Sequence, residues 1–529
     1  MKSICIYFFF YILFISIVTA QAPSIQWQKT FGGSEYDRAF SICNTKDHGF
    51  AVVGGAESLD GNVSNHNNGF PGWNNFDIWL LKLDSIGSLK WNNCYGGDGG
   101  EEAYSLSPTL DGGFIISGVT TSFNGDVVGL HGVRQDFWVV KTDSIGNLIW
   151  QKCLGGAETE LSTKIIQTSD SGYFVVGETE SRDQDVTGNH GPGYDIWAVK
   201  LNSSGVKQWA KCYGGSYWDD YSTCVQTKDS GFLIAGHASS DDGQVSGQHN
   251  SLTADVWVVK IDLTGEILWQ KCYGGYGDEA PAEIIPSTDG GFYIAGGTDS
   301  NDGDINDYIG SSDFWLFKID NVGNLQWSKC YGGMHLDVLT SACKTSDGGI
   351  AMAGFTNVDG GMVSGTHGDK DIWVVKTDSV GNLMWAIALG GTGEENAASI
   401  IESPDRGLVV AGYTLSTDGD ITSNRGKADY WIVKLAPLGL SIPEIENSLM
   451  ELKIFQNNNQ LSVRFLSKKN EKGKLSIYDL TGRKVVDKNI SIHEGINNQQ
   501  IICDQLSSTL LFLKIYSENG AVSKRVFIE

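Results

Sequence analysis

The sequence predicts an all-β chain, a seven-bladed β-propeller followed by a small Ig-like β-sandwich. Three observations carry that prediction. A segment of about 60 residues recurs seven times, tryptophan returns at two fixed points in each copy, and the pattern stops near residue 436, where the composition changes. Repetition at such a period marks architectures built by stacking one supersecondary unit.

Within a copy the elements follow in a fixed order. The first tryptophans are Trp27, Trp91, Trp150, Trp209, Trp269, Trp327 and Trp385, and the second series is Trp79, Trp138, Trp197, Trp257, Trp315, Trp373 and Trp431. Only Trp73 and Trp218 stand outside both series. In the third copy an apolar run from Leu148 to Cys153 ends at Gly155 and Gly156, and a second run covers Leu161 to Thr168. The turn Asp170-Ser171-Gly172 leads into Tyr173 to Gly177, and after a polar loop Asp195-Ile196-Trp197 opens the last strand. Short runs rich in Val, Ile, Phe and Trp, bounded by Gly, Asp, Asn and Ser, are strand signals, and no copy holds a competing helical period.

Turn chemistry decides which strands are neighbours. Asp111-Gly112-Gly113, Asp229-Ser230-Gly231 and Asp347-Gly348-Gly349 supply the positive φ that tight hairpins need. The stretch Asp143 to Asn147 joins an Asp-x-Trp strand to the tryptophan strand of the next copy, so each sheet takes three strands from one copy and one from the next. The strand at Ile25–Phe31 is then left without a sheet, and the last copy is one strand short. Pairing the two closes a ring over residues 24–436 and hides the sheet edges. An open β-solenoid is the alternative, but two tight hairpins per repeat suit a four-stranded blade better. The repeat tryptophans are expected to pack between blades.

The first residues read as a secretory signal peptide over 1–20: Lys2, an apolar run from Ile4 to Val18, and the small-residue site Val18-Thr19-Ala20. No other stretch is apolar enough to span a bilayer, so no transmembrane segment is expected in the mature chain. Residues 451–529 hold twelve Lys and Arg against eight Asp and Glu, so of the net charge of −25 the upstream part carries −29. A body this acidic argues against nucleic acid as a partner. Cys94, Cys153, Cys212, Cys272 and Cys330 share one repeat register, and Cys43, Cys224 and Cys343 another. Equivalent positions lie in different blades, too far apart to bridge readily. Cys212 with Cys224 and Cys330 with Cys343 stay open as pairs within one copy.

Past Leu435, Pro437, Gly439 and Pro443 mark a linker over 437–449, and residues 450–529 read as a separate small β-sandwich without tryptophan. The series Ser476-Ile-Tyr-Asp-Leu-Thr-Gly482-Arg-Lys-Val, then Gly495-Ile-Asn-Asn, Leu513-Lys-Ile-Tyr and the terminal Ser523-Lys524-Arg-Val-Phe-Ile resembles the type A C-terminal sorting domain of the type IX secretion system of Bacteroidetes. The family usually opens with Pro-Asn-Pro and carries Gly-Ile/Leu-Tyr near the penultimate strand, where this chain has Gln456-Asn-Asn-Asn and Thr509-Leu-Leu-Phe512. The resemblance implies Sec-dependent delivery to the periplasm, recognition by the type IX machinery, and a propeller cargo released or displayed at the cell surface.

The sequence holds no Gly-x-Ser-x-Gly, HExxH or phosphate loop, and no catalytic residue is assigned. Asp143-Ser-Ile-Gly-Asn-Leu-Ile-Trp150 is similar to a blade motif of pyrroloquinoline-quinone dehydrogenases, and Thr168-Ser-Asp170-Ser-Gly172 resembles the Asp box of sialidases. Both are structural turns in those families. The clustered arginines of sialidases are missing, since Arg38, Arg134, Arg182, Arg406 and Arg425 occupy non-equivalent positions.

The long loops carry Asp126, Asp185, Asp304 and Asp420 in a recurring Ser-x-x-x-Asp setting. Their carboxylates could present hard oxygens to Ca²⁺, or serve Asx-type turns. His66, His131, His190, His249 and His367 recur nearby, one per copy, and are expected to pack loops. Where repeats are near-identical, deviations are the better candidates for function. The first copy inserts residues around Trp73, and the fourth carries Tyr217, Trp218, Asp219, Asp220 and Tyr221 where others are mostly small or acidic. Exposed aromatics beside carboxylates suit a glycan or a surface protein, so Trp73, Tyr217, Trp218, Asp219 and Tyr221 are the candidate ligand contacts. A carbohydrate-active enzyme using loop carboxylates such as Asp219 or Glu101 is one alternative, and a structural surface-layer component another.

Overall fold

A computed structural model describes residues 22–66, 75–437, 449–457, 460–478, 484–502, 509–517 and 520–528. The expected signal peptide, the insertion with Trp73 and most of the linker lie outside the described residues. The chain divides into two units, Met1–Pro437 and Leu438–Glu529.

The first unit is a ring of seven four-stranded antiparallel sheets. Blade 1 comprises Asp37–Asn44, Phe50–Ala56, Asp77–Leu83 and Leu89–Tyr95, and five further blades repeat it. Blade 7 comprises Glu395–Glu402, Leu408–Thr414, Asp429–Leu435 and, from the other end of the propeller, Ile25–Phe31. Trp27 faces Lys434 and Phe31 faces Tyr430 in that last antiparallel pairing, which closes the ring.

Burial explains the sequence pattern strand by strand. The third strand of blade 1, Asp77–Leu83, is buried along its whole length, because neighbouring blades cover both faces. Between Asp77 and Lys82 it therefore reads as an unbroken apolar run, Ile78–Leu81. The fourth strand, Leu89–Tyr95, lies outermost and is half-exposed. The second-series tryptophans are fully buried between blades. Trp79 and Leu81 of blade 1, for example, share a core with Val409, Tyr430 and Ile432 of blade 7, and Trp79 meets Tyr430 at 4.7 Å between ring centroids. The described cysteines are free thiols within these cores, Cys212 and Cys224 in different clusters. Burial pushes Cys43 and Cys153 up to about 12.

Polar clasps fix the two ends of every blade. At one end, the lysine three residues after the second tryptophan is buried and reaches the aspartate of the hairpin turn: Lys82 to Asp47 at 2.9 Å, Lys200 to Asp170 at 2.9 Å, Lys376 to Asp347 at 3.0 Å. At the other, each Gly-Gly step is flanked by two buried carboxylates. A Cβ on Gly32 would fall 2.3 Å from Asp429 Oδ1 and 2.7 Å from Asp37 Oδ2, so only glycine fits. The Gly33 N–H donates to Asp37 Oδ2 at 2.8 Å. The loop histidines join the same clasp, with Nδ1 of His131 and of His190 each 2.6 Å from Asp136 and Asp195.

The second unit packs two antiparallel sheets on one core. One contains Leu449–Asn457, Gln460–Ser467 and Gly495–Ile502, the other Lys484–Ile492, Glu471–Tyr478, Thr509–Ser517 and Gly520–Ile528. Val463 and Phe465 of the first sheet meet Leu475, Ile477 and Leu513 of the second, which makes a β-sandwich. Among the described residues no helix is long and apolar enough to cross a membrane.

Candidate functional site

The loops that cross between blades and the loops joining second to third strands lie on one face of the ring and are tied together. Ser34 N–H donates to Asp60 Oδ1 at 2.7 Å and Glu35 N–H to Ser58 Oγ at 2.9 Å, and Ser216 N–H repeats the first bond to Asp242 at 2.7 Å. On this face the first strands of the blades converge on a central channel.

The scaffold repeats around the channel mouth, but one ring of cross-strand pairs does not. Taken blade by blade it reads Arg38 with Gly55, Glu102 with Val119, Leu161 with Glu178, Asp220 with His237, Ala280 with Gly297, Val338 with Phe355, and Asn396 with Tyr413. Seven equivalent pairs thus hold charges, aromatics and glycines, the kind of variation that packing alone does not require.

Blade 4 also departs in its backbone. In other blades the next residue is buried and pairs with a glycine, as Ala39 does with Gly54 and Ala397 with Gly412. Here the ladder skips from Asp220–His237 to Thr223–Ala235, Tyr221 takes φ 44°, and its side chain stands 61% exposed. A left-handed conformation costs a residue with a Cβ about 1–2 kcal/mol. Tyr221 N–H donates to Glu178 Oε2 at 2.9 Å, its ring meets His237 edge-on at 5.8 Å, and His237 Nδ1 lies 2.7 Å from Asp220 Oδ1. Burial, reinforced by the Asp220 charge, pushes Glu178 up to about 7 against the opposing Tyr221 N–H.

Deeper in the channel a second register varies: Ser41, Ser105, Lys164, Thr223, Glu283, Ser341 and Ser399. Three of the serines tie one blade to the next, the Ser41, Ser105 and Ser341 hydroxyls accepting the N–H groups of Leu106, Ile165 and Ile400 at 3.1–3.2 Å. The two charged residues meet each other at 2.7 Å. Burial alone would lower the Lys164 ammonium, but the Glu283 charge and hydrogen bond outweigh it and hold the group above its ordinary value.

Tyr104, Lys164, Tyr221, His237, Glu283 and Asp299 help to line a cavity of about 540 Å³, a size typical of small-ligand sites. A second hollow of about 350 Å³ opens beside it, lined by Arg38, Phe40, Tyr104, Thr340, Asn396 and Tyr413 among others. Phe40 and Tyr104 border both, their rings 5.3 Å apart.

Of the residues singled out from sequence, Tyr221 lines the larger cavity. Tyr217 and Trp218 are exposed on the crossing loop of the same blade, Trp218 edge-on to Tyr194 at 5.7 Å, and neither lines the cavity. Asp219 is corrected to a scaffold role. It is fully buried, accepts the Gly215 N–H and the Ser240 hydroxyl at 2.7 Å each, and is raised to about 6 by burial. Glu101 is its equivalent in blade 2, held by Gly97 N–H at 2.9 Å and the Thr120 hydroxyl at 2.7 Å. Neither carboxylate can serve as a surface acid or base. Trp73 lies outside the described residues.

Three of the four loop aspartates cap their own blade crossings. Asp126, Asp304 and Asp420 accept the N–H of Gly96, Gly274 and Gly390 at 3.2–3.3 Å, and Asp185 pairs with Lys207. Among the described residues no three His, Cys, Asp or Glu side chains group as a metal site. Asp126, Asp304 and Asp420 thus have the geometry of turn carboxylates. Arg38, Lys164, Glu178, His237 and Glu283 were not singled out from sequence, although each breaks the register of its own repeat, and that break is the signal that finds them.

No curated protein matches the sequence. Among solved structures the chain is similar to the WD40 domain of Neurospora crassa Pan2, at 10% identity over 76% of this chain and 90% of that one, TM-score 0.40. It is similar to puromycin hydrolase at 11% identity over 85% of this chain and 62% of that one, TM-score 0.43. A DUF4221-family protein of Bacteroides vulgatus matches at 10% identity over 62% of this chain and 91% of that one, TM-score 0.34. Residues 457–529 match the secretion system C-terminal sorting domain. The domain indicates export to the cell surface or beyond through the type IX machinery. The C-terminal region therefore matches the type IX secretion sorting domain, and the region before it is a seven-bladed β-propeller.

Proposed function

We propose that the chain is a secreted or cell-surface binding protein whose propeller holds a glycan or a surface protein, without catalysis, at the channel mouth of its crossing-loop face. In this reading residues 1–20 direct the chain through the Sec pathway of a Bacteroidetes cell, and the sorting domain takes it across the outer membrane. Tyr221 carries the reading. All seven blades carry a bulge at this point of the ladder, but blade 4 alone widens it, gives up the pair with glycine and turns an aromatic ring outward over a cavity of about 540 Å³. Backbone strain of that kind clusters at ligand sites, and tyrosine presents a stacking face and a hydroxyl with few torsions to freeze. Trp218 and Tyr217 extend the aromatic surface on the same blade.

The test is retention of the whole chain on a panel of immobilised polysaccharides and glycans, wild type beside Tyr221→Ala and Trp218→Ala. Retention that falls in Tyr221→Ala supports the site; retention indifferent to both substitutions removes it. A hydrolytic reading draws on one observation, the near-neutral Glu178 beside Asp220. Release of reducing ends by wild type but not by Glu178→Gln would put an enzyme in place of the binder.

A further inference from the structure

The smaller hollow at the channel mouth contains a cation without an anion. Arg38 makes no ion pair or side-chain hydrogen bond with any described residue, and its Nε is buried without a partner. Arg38 is half-buried, and a guanidinium without an anion stands out in a propeller that is strongly acidic overall. Glu102, the carboxylate at the same register of the adjacent blade, accepts instead from the Tyr104 hydroxyl at 2.8 Å.

Two rings hold the guanidinium in place. Its central carbon lies 5.1 Å from the Tyr36 ring and 5.3 Å from the Tyr413 ring. Cation–π contacts of that kind restrain the group without using its hydrogen-bond donors. In the other blades the position of Arg38 is taken by Glu102, Leu161, Asp220, Ala280, Val338 and Asn396, so the arginine is no part of the repeat scaffold. The hollow adds the amide of Asn396 and the rings of Phe40, Tyr104 and Tyr413, and no carboxylate lines it.

We propose that Arg38 is the specificity residue for a carboxylate carried on a sugar ring, so that the ligand of the propeller is an acidic, uronate-type glycan. The inference rests on the binding reading above and sharpens it. A carboxylate is planar and matches the two-pronged edge of a guanidinium. The aromatic walls suit the apolar face of a pyranose, and the site's volume of about 350 Å³ lies at the lower end of the range for small-molecule sites.

The experiment measures binding of the whole chain to polygalacturonate, alginate and hyaluronate, to the same polymers with their carboxylates reduced to alcohols, and to poly-glutamate. Wild type is compared with Arg38→Gln, Arg38→Lys and Tyr221→Ala. At least one uronate polymer is expected to bind about tenfold or more tighter than its reduced form. Arg38→Gln should abolish that preference and Arg38→Lys should keep part of it. Free galacturonate, but not galactose, should compete with wild type, a measurement that needs no variant to fold. Equal binding of acidic and reduced polymers, with Tyr221→Ala still impaired, overturns the carboxylate while leaving the channel-mouth site standing. Equal, Arg38-dependent binding of poly-glutamate overturns the assignment to a sugar. Binding to none of the polymers, by chain shown to be folded, overturns the inference.

Discussion

Lys164 and Glu283 meet at 2.7 Å although they belong to blades 3 and 5, with all of blade 4 between them. Both are partly exposed, 29% and 17% at the side chain, and both replace the serine or threonine found at that register in the other five blades. Thr163 supplies the missing link to blade 4, its hydroxyl donating to Ser222 O. The pair is thus an addition to the ring and faces the cavity that Tyr221 overhangs.

Breaking that pair from one side strands a charge in the channel. Lys164→Ser or Glu283→Ser is expected to cost roughly 1–3 kcal/mol, between exposed and buried ion pairs. The double substitution, which restores the serine of the other blades, should recover most of the loss. Denaturant titrations of all four proteins give the coupling directly, and strictly additive losses would show that the two side chains act independently.

Tyr221 holds a left-handed φ of 44° that a glycine would adopt without strain. Tyr221→Gly should remove the left-handed penalty and stabilise the propeller by up to about 1 kcal/mol, while reducing ligand retention. A lower thermal midpoint in Tyr221→Gly would show that the ring serves packing after all.

The carboxylate clasps forecast an unusual pH profile. Burial raises Asp219, Asp313 and Asp429 to about 6 and Glu279 to about 7, against ordinary values near 4. Groups raised on folding contribute stability that is fully present below about pH 4 and lost as pH rises through 6 to 7. The turn aspartates Asp47, Asp111 and Asp170, held at about 2 by their lysines and turn hydrogen bonds after burial is overcome, work in the opposite sense and lose their contribution as pH falls below about 4. The thermal midpoint should therefore peak at about pH 4–5 and decline toward pH 7.5. Asp219→Asn should flatten the neutral limb of that curve. A midpoint that climbs steadily from pH 5 to 7.5 would contradict this.

Glycines divide by what a methyl group would meet. Gly32→Ala puts a Cβ 2.3 Å from Asp429 Oδ1 and should cost about 1–3 kcal/mol. Gly297→Ala meets only Asp313 O at 3.9 Å and should be neutral or slightly stabilising. Equal effects in thermal melts would dissociate the Gly-Gly steps from the carboxylate clasps.

The ring could be read from the chain because its cause is local and repeated. Asp-Gly-Gly turns fix the hairpins, tryptophans mark the buried strands, and the spare strand at Ile25–Phe31 has one place to go. The site was harder because its residues are defined by register. Asp219 and Asp220 are neighbours, yet one is the buried clasp shared with Asp37 and Glu160, and the other faces His237 in the mouth. Stacking the seven first strands in sequence separates them, since Asp37, Glu101, Glu160, Asp219, Glu279, Asp337 and Glu395 all fall in one column. The clasp of Lys82 with Asp47 needed the hairpin register, and the Lys164–Glu283 contact needed the curvature of the ring. Local pattern contains neither.

The most direct measurement is retention on the glycan panel by the whole chain, wild type against Tyr221→Ala, with folding verified by thermal melts. Retention by wild type that is lost in Tyr221→Ala at an unchanged or higher melting temperature is the expected result. Retention unaffected by the substitution, or none by a folded wild type on any glycan or surface protein tried, would contradict a ligand site at the channel mouth.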